Sequence, residues 1–316
     1  MAEKVSGALV IDKPRGPTSH DVVARIRRAL HERRIGHAGT LDPMATGVLV
    51  VLVGEGTKLA PYLTAADKRY TARVTFGAAT ATLDAEGEVT SRADVPVEIL
   101  EELASLAKDP RALPEGRVAT AIAEELARTE QIPPAYSAIQ IDGERSHDLA
   151  RAGKGVELPP RGVAARSITI LGAIAEDGSP PSLEVDLLVS KGYYVRSFAR
   201  DLGARLGLPA HLSALRRTAS GSFTASEALP LDASPDALRA AILSIPMAIR
   251  RALPIATLTP AGAVRARQGK RLTPADFDVP PPPEGEAAWL DPAGDLVAIG
   301  EGSAGAFVVL RGFVAG

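Results

Sequence analysis

Cysteine is absent from the 316 residues of this chain. Its absence excludes disulfide scaffolds, thiol nucleophiles and thiolate metal sites, and is typical of a protein of the reducing cytosol. Long apolar runs are lacking too, because the longest, residues 44–53, falls far short of the roughly 20 residues that cross a bilayer. Residues 1–5 lack the basic and then apolar pattern of a secretory signal. We therefore expect a soluble cytoplasmic protein.

Excess positive charge is also lacking, since the formal net charge is −2. The distribution is uneven, however, and matters more than the sum. Residues 1–40 carry eight Lys/Arg against four Asp/Glu, residues 190–220 carry six against one, and residues 81–130 carry twelve acids against five bases. If the two basic segments meet in the fold, they form a face that attracts phosphates. Otherwise they are solvated faces of Arg-rich helices.

Hydrophobic residues make up 46% of the chain, enough for a sizeable core. Apolar or alternating runs predict four strands, at residues 8–11, 48–53, 70–76 and 183–189. Helical spacing predicts a helix capped by Thr18 or Ser19, an acidic surface helix over about 94–108, and a helix from Val195 that stops at Gly207.

The order of these elements indicates the fold class. Strands and helices are mixed without a strict βαβ rhythm, which favours α+β with a mixed or antiparallel sheet. Four prolines at residues 280–283 break regular structure, and the residues beyond them predict a small β unit. We therefore predict a larger domain over residues 1–250 and a small β-rich module over residues 251–316.

A loop with the sequence GHAGTLDPMATG, at residues 36–47, lies between the basic helix and a buried strand. Catalytic groups concentrate in loops that rigid elements hold. Asp42 precedes Pro43, which restricts the backbone beside the carboxylate. From the loop alone, Asp42 is either a catalytic carboxylate or part of a plain Asx turn.

Two segments resemble cofactor-binding or metal-binding motifs but lack residues that those motifs require. The sequence GEGTK at residues 54–58 has Thr and Lys in the wrong order for a P-loop. The sequence HERRI at residues 31–35 lacks the second histidine of a zinc protease. His20, His31 and His37 lie close in sequence, and we expect them to face RNA rather than a metal.

The loop at residues 36–47 closely resembles the catalytic signature of the TruB-type tRNA pseudouridine synthases. Further segments resemble the family's motifs in the expected order: DKPRGPTS at 12–19, DKRY at 67–70, QIPPAYSA at 131–138, SKGYYVRS at 190–197 and LRR at 215–217. The resemblance covers roughly residues 7–230. It implies the pseudouridine synthase fold with a PUA-like C-terminal module that binds RNA.

Three departures from the family's pattern concern RNA contacts. Gln140 stands where the family usually has a lysine, and His147 stands where it usually has an aromatic residue. The Asp-rich segment after the first sheet strand is altered to ATLDAEG at residues 81–87.

The resemblance implies an enzyme that isomerises uridine 55 in the T loop of tRNAs to pseudouridine, without cofactor or metal. Asp42 is implied as the nucleophile, attacking either C6 of the base or C1′ of the sugar. Arg196 would keep that carboxylate charged. The base would be flipped from its stack. Tyr70 would stack on the flipped base and handle the departing proton, and Tyr194, at the end of a second strand, would be a second aromatic residue of the pocket.

The remaining implied residues contact the RNA. His37 would insert near the extruded base or contact a phosphate. Residues of the other motifs would bind substrate, the basic ones through the RNA backbone: Lys13, Arg15, Lys68, Lys191, Leu215, Arg216 and Arg217. We expect a monomer that binds the T stem-loop, needs no protein partner and makes no membrane contact. Assistance in tRNA folding could coexist with catalysis.

Two alternatives stay open at this point. One is a guide-dependent relative, an H/ACA-type catalytic subunit that needs RNA and protein partners. The other is a non-catalytic RNA-binding or RNA-folding protein that retains the fold.

Overall fold

The structure is a computed structural model, which describes residues 5–111, 115–137, 139–141, 143–152, 158–176, 178–303 and 305–313. In those residues the helices are α1 (Ser19–Leu30), α2 (Ala60–Ala65), α3 (Val97–Lys108), α4 (Arg117–Leu126), α5 (Ser146–Arg151), α6 (Val195–Leu206), α7 (Pro235–Ala240), α8 (Ile245–Ile249) and α9 (Pro260–Arg267). The strands of the first two thirds are β1 (Gly7–Lys13), β2 (Ile35–His37), β3 (Thr46–Val53), β4 (Lys68–Phe76), β5 (Ala78–Thr80), β6 (Val89–Arg92), β7 (Glu130–Gln131), β8 (Gln140–Ile141), β9 (Glu144–Arg145), β10 (Arg161–Gly162), β11 (Ala165–Ile174), β12 (Ser182–Val189) and β13 (Ala210–Ser220). The later strands are β14 (Phe223–Thr224), β15 (Leu229–Pro230), β16 (Leu243–Ser244), β17 (Ile255–Leu258), β18 (Phe277–Val279), β19 (Gly285–Leu290), β20 (Leu296–Ser303) and β21 (Ala306–Gly312).

Residue contacts divide the chain into two compact units. The first consists of Met1–Asp42, Gly47–Ala66 and Ser220–Gly316, and the second of Pro43–Thr46 and Asp67–Ala219. The predicted boundary near residue 250 stays a prediction.

Strands β1, β2, β3 and β15 of the first unit pair in a mixed arrangement. Strand β1 runs antiparallel to β3 and parallel to β15, while β2 pairs with β3. The continuous apolar run predicted as a buried strand is confirmed, because every residue of β3 from Val48 to Val53 is fully buried. Apolar side chains on both faces of a strand are what a doubly covered sheet requires.

The cap of α1 settles the choice between Thr18 and Ser19. Thr18 is the N-cap, its hydroxyl accepts the backbone N–H of Asp21 at 3.1 Å, and the Asp21 carboxylate accepts the N–H of Thr18 at 2.8 Å. This reciprocal capping box satisfies two of the orphan donors at a helix start. The hydroxyl of Ser19 therefore makes a different contact, with the backbone of Leu41.

The C-terminal strands form a five-stranded sheet in the order β18-β17-β19-β20-β21. Three rings pack edge to face in its core, with centroids 5.3 Å apart for Phe277 and Trp289 and 5.1 Å apart for Phe277 and Phe307. The predicted β-rich C-terminal region is confirmed. Other buried residues of this sheet, including Leu290 and Ile299, share one apolar cluster with residues of β1 and β3, which explains why these residues belong to the same unit.

The second unit contains neighbouring strands in the order β11-β12-β4-β13. Strand β12 is antiparallel to both β11 and β4, and its Leu187 lies opposite Tyr70. The predicted alternation in β4 is confirmed, because Tyr70, Ala72, Val74 and Phe76 are all buried. These strands and the helices around them confirm the predicted α+β class with a mixed sheet.

Two predicted helices of the second unit are confirmed as well. Helix α3 buries Ile99, Leu103 and Leu106 on one face and leaves its acidic face outside. Helix α6 ends at Gly207, whose φ of 74° lies in the left-handed region that glycine adopts without strain. No helix in the described part of the chain is long and apolar enough to span a membrane.

Candidate active site

The loop that carries Asp42 is anchored to β3 at its beginning. His37 in β2 lies opposite Val51, and the N–H of Ala38 donates to the carbonyl of Val50 at 2.9 Å. Gly39 follows with a φ of 98°, a conformation that residues with a Cβ rarely adopt. The chain therefore leaves the sheet at a fixed point and turns sharply before Asp42.

The residue before Asp42 is held by the start of α1. The hydroxyl of Ser19 accepts the N–H of Leu41 at 2.9 Å and donates to the carbonyl of Leu41 at 3.1 Å. Both residues are buried, with 1% and 3% of their surfaces exposed, so these two bonds fix the Leu41 backbone. Asp42 itself is half-buried. The backbone beside Asp42 is therefore pre-positioned, as that of a nucleophile needs to be.

Two more predicted residues lie in the same unit. The rings of His37 and His20 meet edge to face, with centroids 5.6 Å apart. Lys13 at the end of β1 is fully buried, and its ammonium donates to the carbonyl of Pro14 at 2.9 Å. Hydrogen bonds from Thr18 lower the pKa of Asp21, and the charges of His20 and Lys13 lower it further.

Arg196 lies at the start of α6 in the second unit, and only 6% of it is exposed. Its guanidinium donates to the carbonyl of Thr82 at 3.1 Å and to the carbonyl of Tyr136 at 2.9 Å. Its Nε lies 3.8 Å from Oδ2 of Asp84. These contacts fix the plane of the guanidinium, and a fixed guanidinium is a directional partner for a carboxylate.

Asp84 is a site residue that the sequence analysis missed. It is 5% exposed, and its Oδ1 accepts the hydroxyl of Thr82 at 2.6 Å and the N–H of Glu86 at 3.1 Å. Gly87 closes the turn, where a Cβ would come within 2.3 Å of the Thr82 hydroxyl. In sequence, the segment at residues 81–87 departs from the family's pattern and does not indicate a partner for Arg196. The signal in the sequence is that Asp84 is the only aspartate of this segment and lies between Thr82 and Gly87.

Tyr70 and Lys68 begin β4. Tyr70 is 9% exposed and Lys68 is 7% exposed. Burial lowers the pKa of Lys68 to about 8, and the positive charges of Arg217 and Lys191 contribute to this. Lys68 is thus a buried ammonium that two further predicted basic residues of this unit, Arg217 and Lys191, disfavour.

The turn between β12 and α6 carries Lys191, Tyr193 and Tyr194. Lys191 is exposed, Tyr194 is half-buried and is the N-cap of α6, and Tyr193 is buried. Burial raises the pKa of Tyr193, and the neighbouring Glu125 adds to the effect. The two adjacent tyrosines thus occupy different environments.

The last predicted residues lie on β13. Leu215 and Arg217 are buried, Arg217 with 1% of its surface exposed, while Arg216 is partly exposed. Gln140 lies in β8 and is exposed. The side chain of His147 and all of Ala138 lie outside the described residues.

The structure thus gathers the predicted residues into two sets. Asp42, His37, Lys13 and Arg15 belong to the first unit, and the others belong to the second. The predicted pairing of Asp42 with Arg196 joins the two units and stays a prediction. Within the residues that are described, no group of three or more His, Asp or Glu is placed to hold a metal ion.

Comparison with known protein families gives two matches. Residues 27–195 match the TruB family pseudouridylate synthase (N terminal domain), and residues 196–245 match the tRNA pseudouridylate synthase B C-terminal domain. A protein of Corynebacterium aurimucosum named tRNA pseudouridine synthase B is 42% identical over 294 residues, which cover 93% of this chain and 91% of the relative. A protein of Thermobifida fusca with the same name is 39% identical over 302 residues, 95% of each chain.

Solved structures show the same fold. A chain from an H/ACA RNP bound to a substrate RNA containing 2′-deoxyuridine has a TM-score of 0.69 at 23% identity, over 98% of this chain and 85% of that one. A chain from a Cbf5-Nop10-Gar1 complex has a TM-score of 0.68 at 25% identity, over 93% and 78%. The predicted pseudouridine synthase fold is confirmed. The family matches cover more than half of the sequence, and this chain belongs to the TruB family of pseudouridylate synthases.

Proposed function

We propose that this protein isomerises uridine 55 in the T loop of tRNAs to pseudouridine, with Asp42 as the nucleophile and without a cofactor. The observation that carries the proposal is similarity over nearly the whole chain to relatives named tRNA pseudouridine synthase B, at about 40% identity. We also propose that the protein acts in the cytoplasm, because its proposed substrate is a tRNA.

The reaction needs a well-placed carboxylate. The bond between N1 of uracil and C1′ of ribose breaks, the base turns, and C5 joins C1′. The proton leaves C5 and N1 gains one, so no atoms are gained or lost. Asp42 attacks either C6 or C1′ to carry the base through this turn. The Ser19 contacts that fix Leu41 support its role, because they hold the backbone next to the nucleophile.

Arg196 is the proposed partner of Asp42. A guanidinium beside a carboxylate favours the charged form, which is the nucleophilic one. The contacts with Thr82, Tyr136 and Asp84 support this role, since they hold Arg196 in one orientation inside a buried site. An aspartate behind the arginine also offsets part of the cost of burying its charge.

The target uridine must leave its stack before the carboxylate can reach it. We propose that Tyr70 stacks on the flipped uracil and handles the proton that leaves C5, and that Tyr194 also lines the pocket. A stacked base recovers about 1–3 kcal/mol. His37 contacts the extruded nucleotide or its phosphate.

The other proposed contacts orient the RNA. Lys13, Lys68, Lys191, Leu215 and Arg216 bind the T stem-loop, whose folded shape presents backbone more than base edges. The C-terminal β-rich module is proposed to bind RNA as a PUA-like domain. We propose a monomer that needs no protein partner, although the solved chains of similar fold come from complexes with partner proteins.

The test is pseudouridine formation on an unmodified tRNA transcript, with a metal chelator present and no added cofactor. Wild type is compared with Asp42→Asn and with Asp94→Asn, the same change at an exposed aspartate outside the site. We expect product from wild type and Asp94→Asn, at position 55 only, and a loss of at least about 10⁴-fold in Asp42→Asn, the scale of removing a residue that acts as nucleophile.

Three outcomes contradict parts of the proposal. Activity of Asp42→Asn at the wild-type rate excludes that residue as the nucleophile. Product on a transcript with cytidine at position 55 excludes that position as the sole target. Tight tRNA binding by wild type without any product points instead to a guide RNA or to a binding-only role.

A further inference from the structure

Helix α6 begins against a short segment at residues 131–137 of the same unit. The side chain of Gln131 is 2% exposed, and its Oε1 accepts the backbone N–H of Tyr194 at 2.8 Å. Tyr194 is the N-cap of α6 and receives no cap from its own side chain. A glutamine from another element therefore holds the first residue of the helix.

The same segment holds the first turn of α6 at two more points. The hydroxyl of Ser197 donates to the carbonyl of Ile132 at 2.9 Å, and the guanidinium of Arg196 donates to the carbonyl of Tyr136. Each of the three bonds thus joins a side chain of one element to the backbone of the other, over residues 194–197.

Only one atom of the Gln131 amide takes part in this contact. Within the residues described, Nε2 of Gln131 has no hydrogen-bond partner, although the side chain is buried. The acceptor oxygen is therefore the group that the site uses. Gln131 is itself held in place, because β7 pairs with β10 and Gln131 lies opposite Arg161.

We propose that Gln131 is a positioning residue for the reaction, which aligns Tyr194 and Arg196 by fixing the N–H at the start of α6. The inference rests on the proposed function of those two residues. A backbone N–H in this position follows the helix as a rigid body, so a shift there moves Arg196 two residues later. A displacement of about 1 Å in such a group can cost about a hundredfold in rate.

The test compares three variants with wild type on a tRNA transcript. Gln131→Met keeps the size of the side chain and removes the acceptor. Gln131→Glu keeps an acceptor, which the positive end of the helix also favours. Ser197→Ala removes a different bond between the same two elements, and the carbonyl of Ile132 keeps the 3.1 Å bond from Arg200.

The measurements are the single-turnover rate of pseudouridine formation, the Kd for tRNA, and hydrogen exchange at the Tyr194 N–H. We expect Gln131→Met to lower the rate at least about tenfold while the Kd stays within about twofold. Gln131→Glu should keep the rate within about threefold, and Ser197→Ala within about twofold. Exchange of the Tyr194 N–H should be faster in Gln131→Met alone.

Several results overturn the inference. A wild-type rate in Gln131→Met does so, and so does an equal loss in all three variants, which indicates general loosening. A loss of tRNA affinity as large as the loss of rate shows a binding role instead. If wild type itself forms no product, the proposed function fails, and unchanged exchange of the Tyr194 N–H in Gln131→Met then separately excludes Gln131 as the group that holds the helix start.

Discussion

Lys68 is a single residue of the candidate site whose positive charge is unfavourable in the folded protein. An ammonium that is 7% exposed loses most of its hydration, and the charges of Arg217 and Lys191 disfavour it further. Its pKa falls from 10.5 to about 8. A concentration of positive charge costs stability when RNA is absent and favours phosphate when RNA is present.

The lowered pKa predicts a dependence of stability on pH. The unfolded chain holds the Lys68 proton up to about 10.5 and the folded protein only to about 8. Unfolding therefore takes up a proton between these values, and the free energy of unfolding rises with pH across this window, by about 3 kcal/mol in total. Lys68→Met should lack this rise in urea titrations at pH 8 and 10, whereas Lys108→Met, at an exposed lysine, should retain it. Equal slopes in the two variants would contradict the assignment.

Some residues of the candidate site can be located from the sequence, and others cannot. Asp42, Tyr70 and Arg196 stand in motifs that a resemblance can locate, and their roles stay predictions. Asp84 was missed because its contact with Arg196 joins positions 112 residues apart, as the numbers 84 and 196 show. No local pattern reports such a contact. The sequence predicts a cap of α1 at Thr18 or Ser19, and the capping box of Thr18 with Asp21 together with the contact of Ser19 with Leu41 distinguishes the two.

Helices α4 and α6 are joined by a buried group of charges. Glu125 of α4 is fully buried, and its carboxylate contacts Arg128 at 2.6 Å and Arg205 of α6 at 2.7 Å. Arg128 also reaches Asp201 of α6 at 3.1 Å. Since α6 carries Arg196, these ion pairs support the helix at a distance from the candidate site.

Removing one charge from this group should destabilise the fold. Glu125→Gln keeps the shape but leaves two guanidiniums without their buried carboxylate, and we expect a loss of about 3 kcal/mol in the free energy of unfolding. Glu124→Gln is the matched control, because the neighbouring Glu124 also contacts Arg205 but its side chain is 51% exposed. There we expect a loss of at most about 1 kcal/mol. Urea denaturation at pH 7 measures both, and equal losses would show that burial of Glu125 does not matter.

Elements were predicted better than their assembly. Helix α6, strand β3 and strand β4 follow from hydrophobic periodicity and a terminal glycine, which are local properties. The β unit beyond the four prolines was predicted as well, and it corresponds to β19, β20 and β21. Strands β17 and β18 and the apolar cluster shared with β1 and β3 were not predicted. Alternating side chains show that a strand has a buried face, and do not show which distant element covers it.

Over the whole molecule, charge is segregated along the chain while the net charge stays near zero. The basic segment at residues 1–40 lies in the first unit, and the acidic segment at residues 81–130 and all of the basic residues of the segment at residues 190–220 lie in the second. A sum of −2 thus conceals regions of opposite sign. Such segregation allows a protein of low net charge to bind a polyanion through its basic regions.

This segregation predicts a steep dependence of tRNA binding on salt. Each phosphate contact releases condensed counterions, so with about six contacts the Kd should rise roughly a thousandfold between 50 and 200 mM salt. Lys191 is exposed at the start of the turn that leads to α6, and Lys191→Gln should make the slope of log Kd against log salt shallower by about one. Lys108→Gln, in the acidic segment, should leave the slope unchanged. A Kd for wild type that barely changes with salt would exclude a basic face as the source of affinity, and recognition would then have to come from shape and base contacts alone.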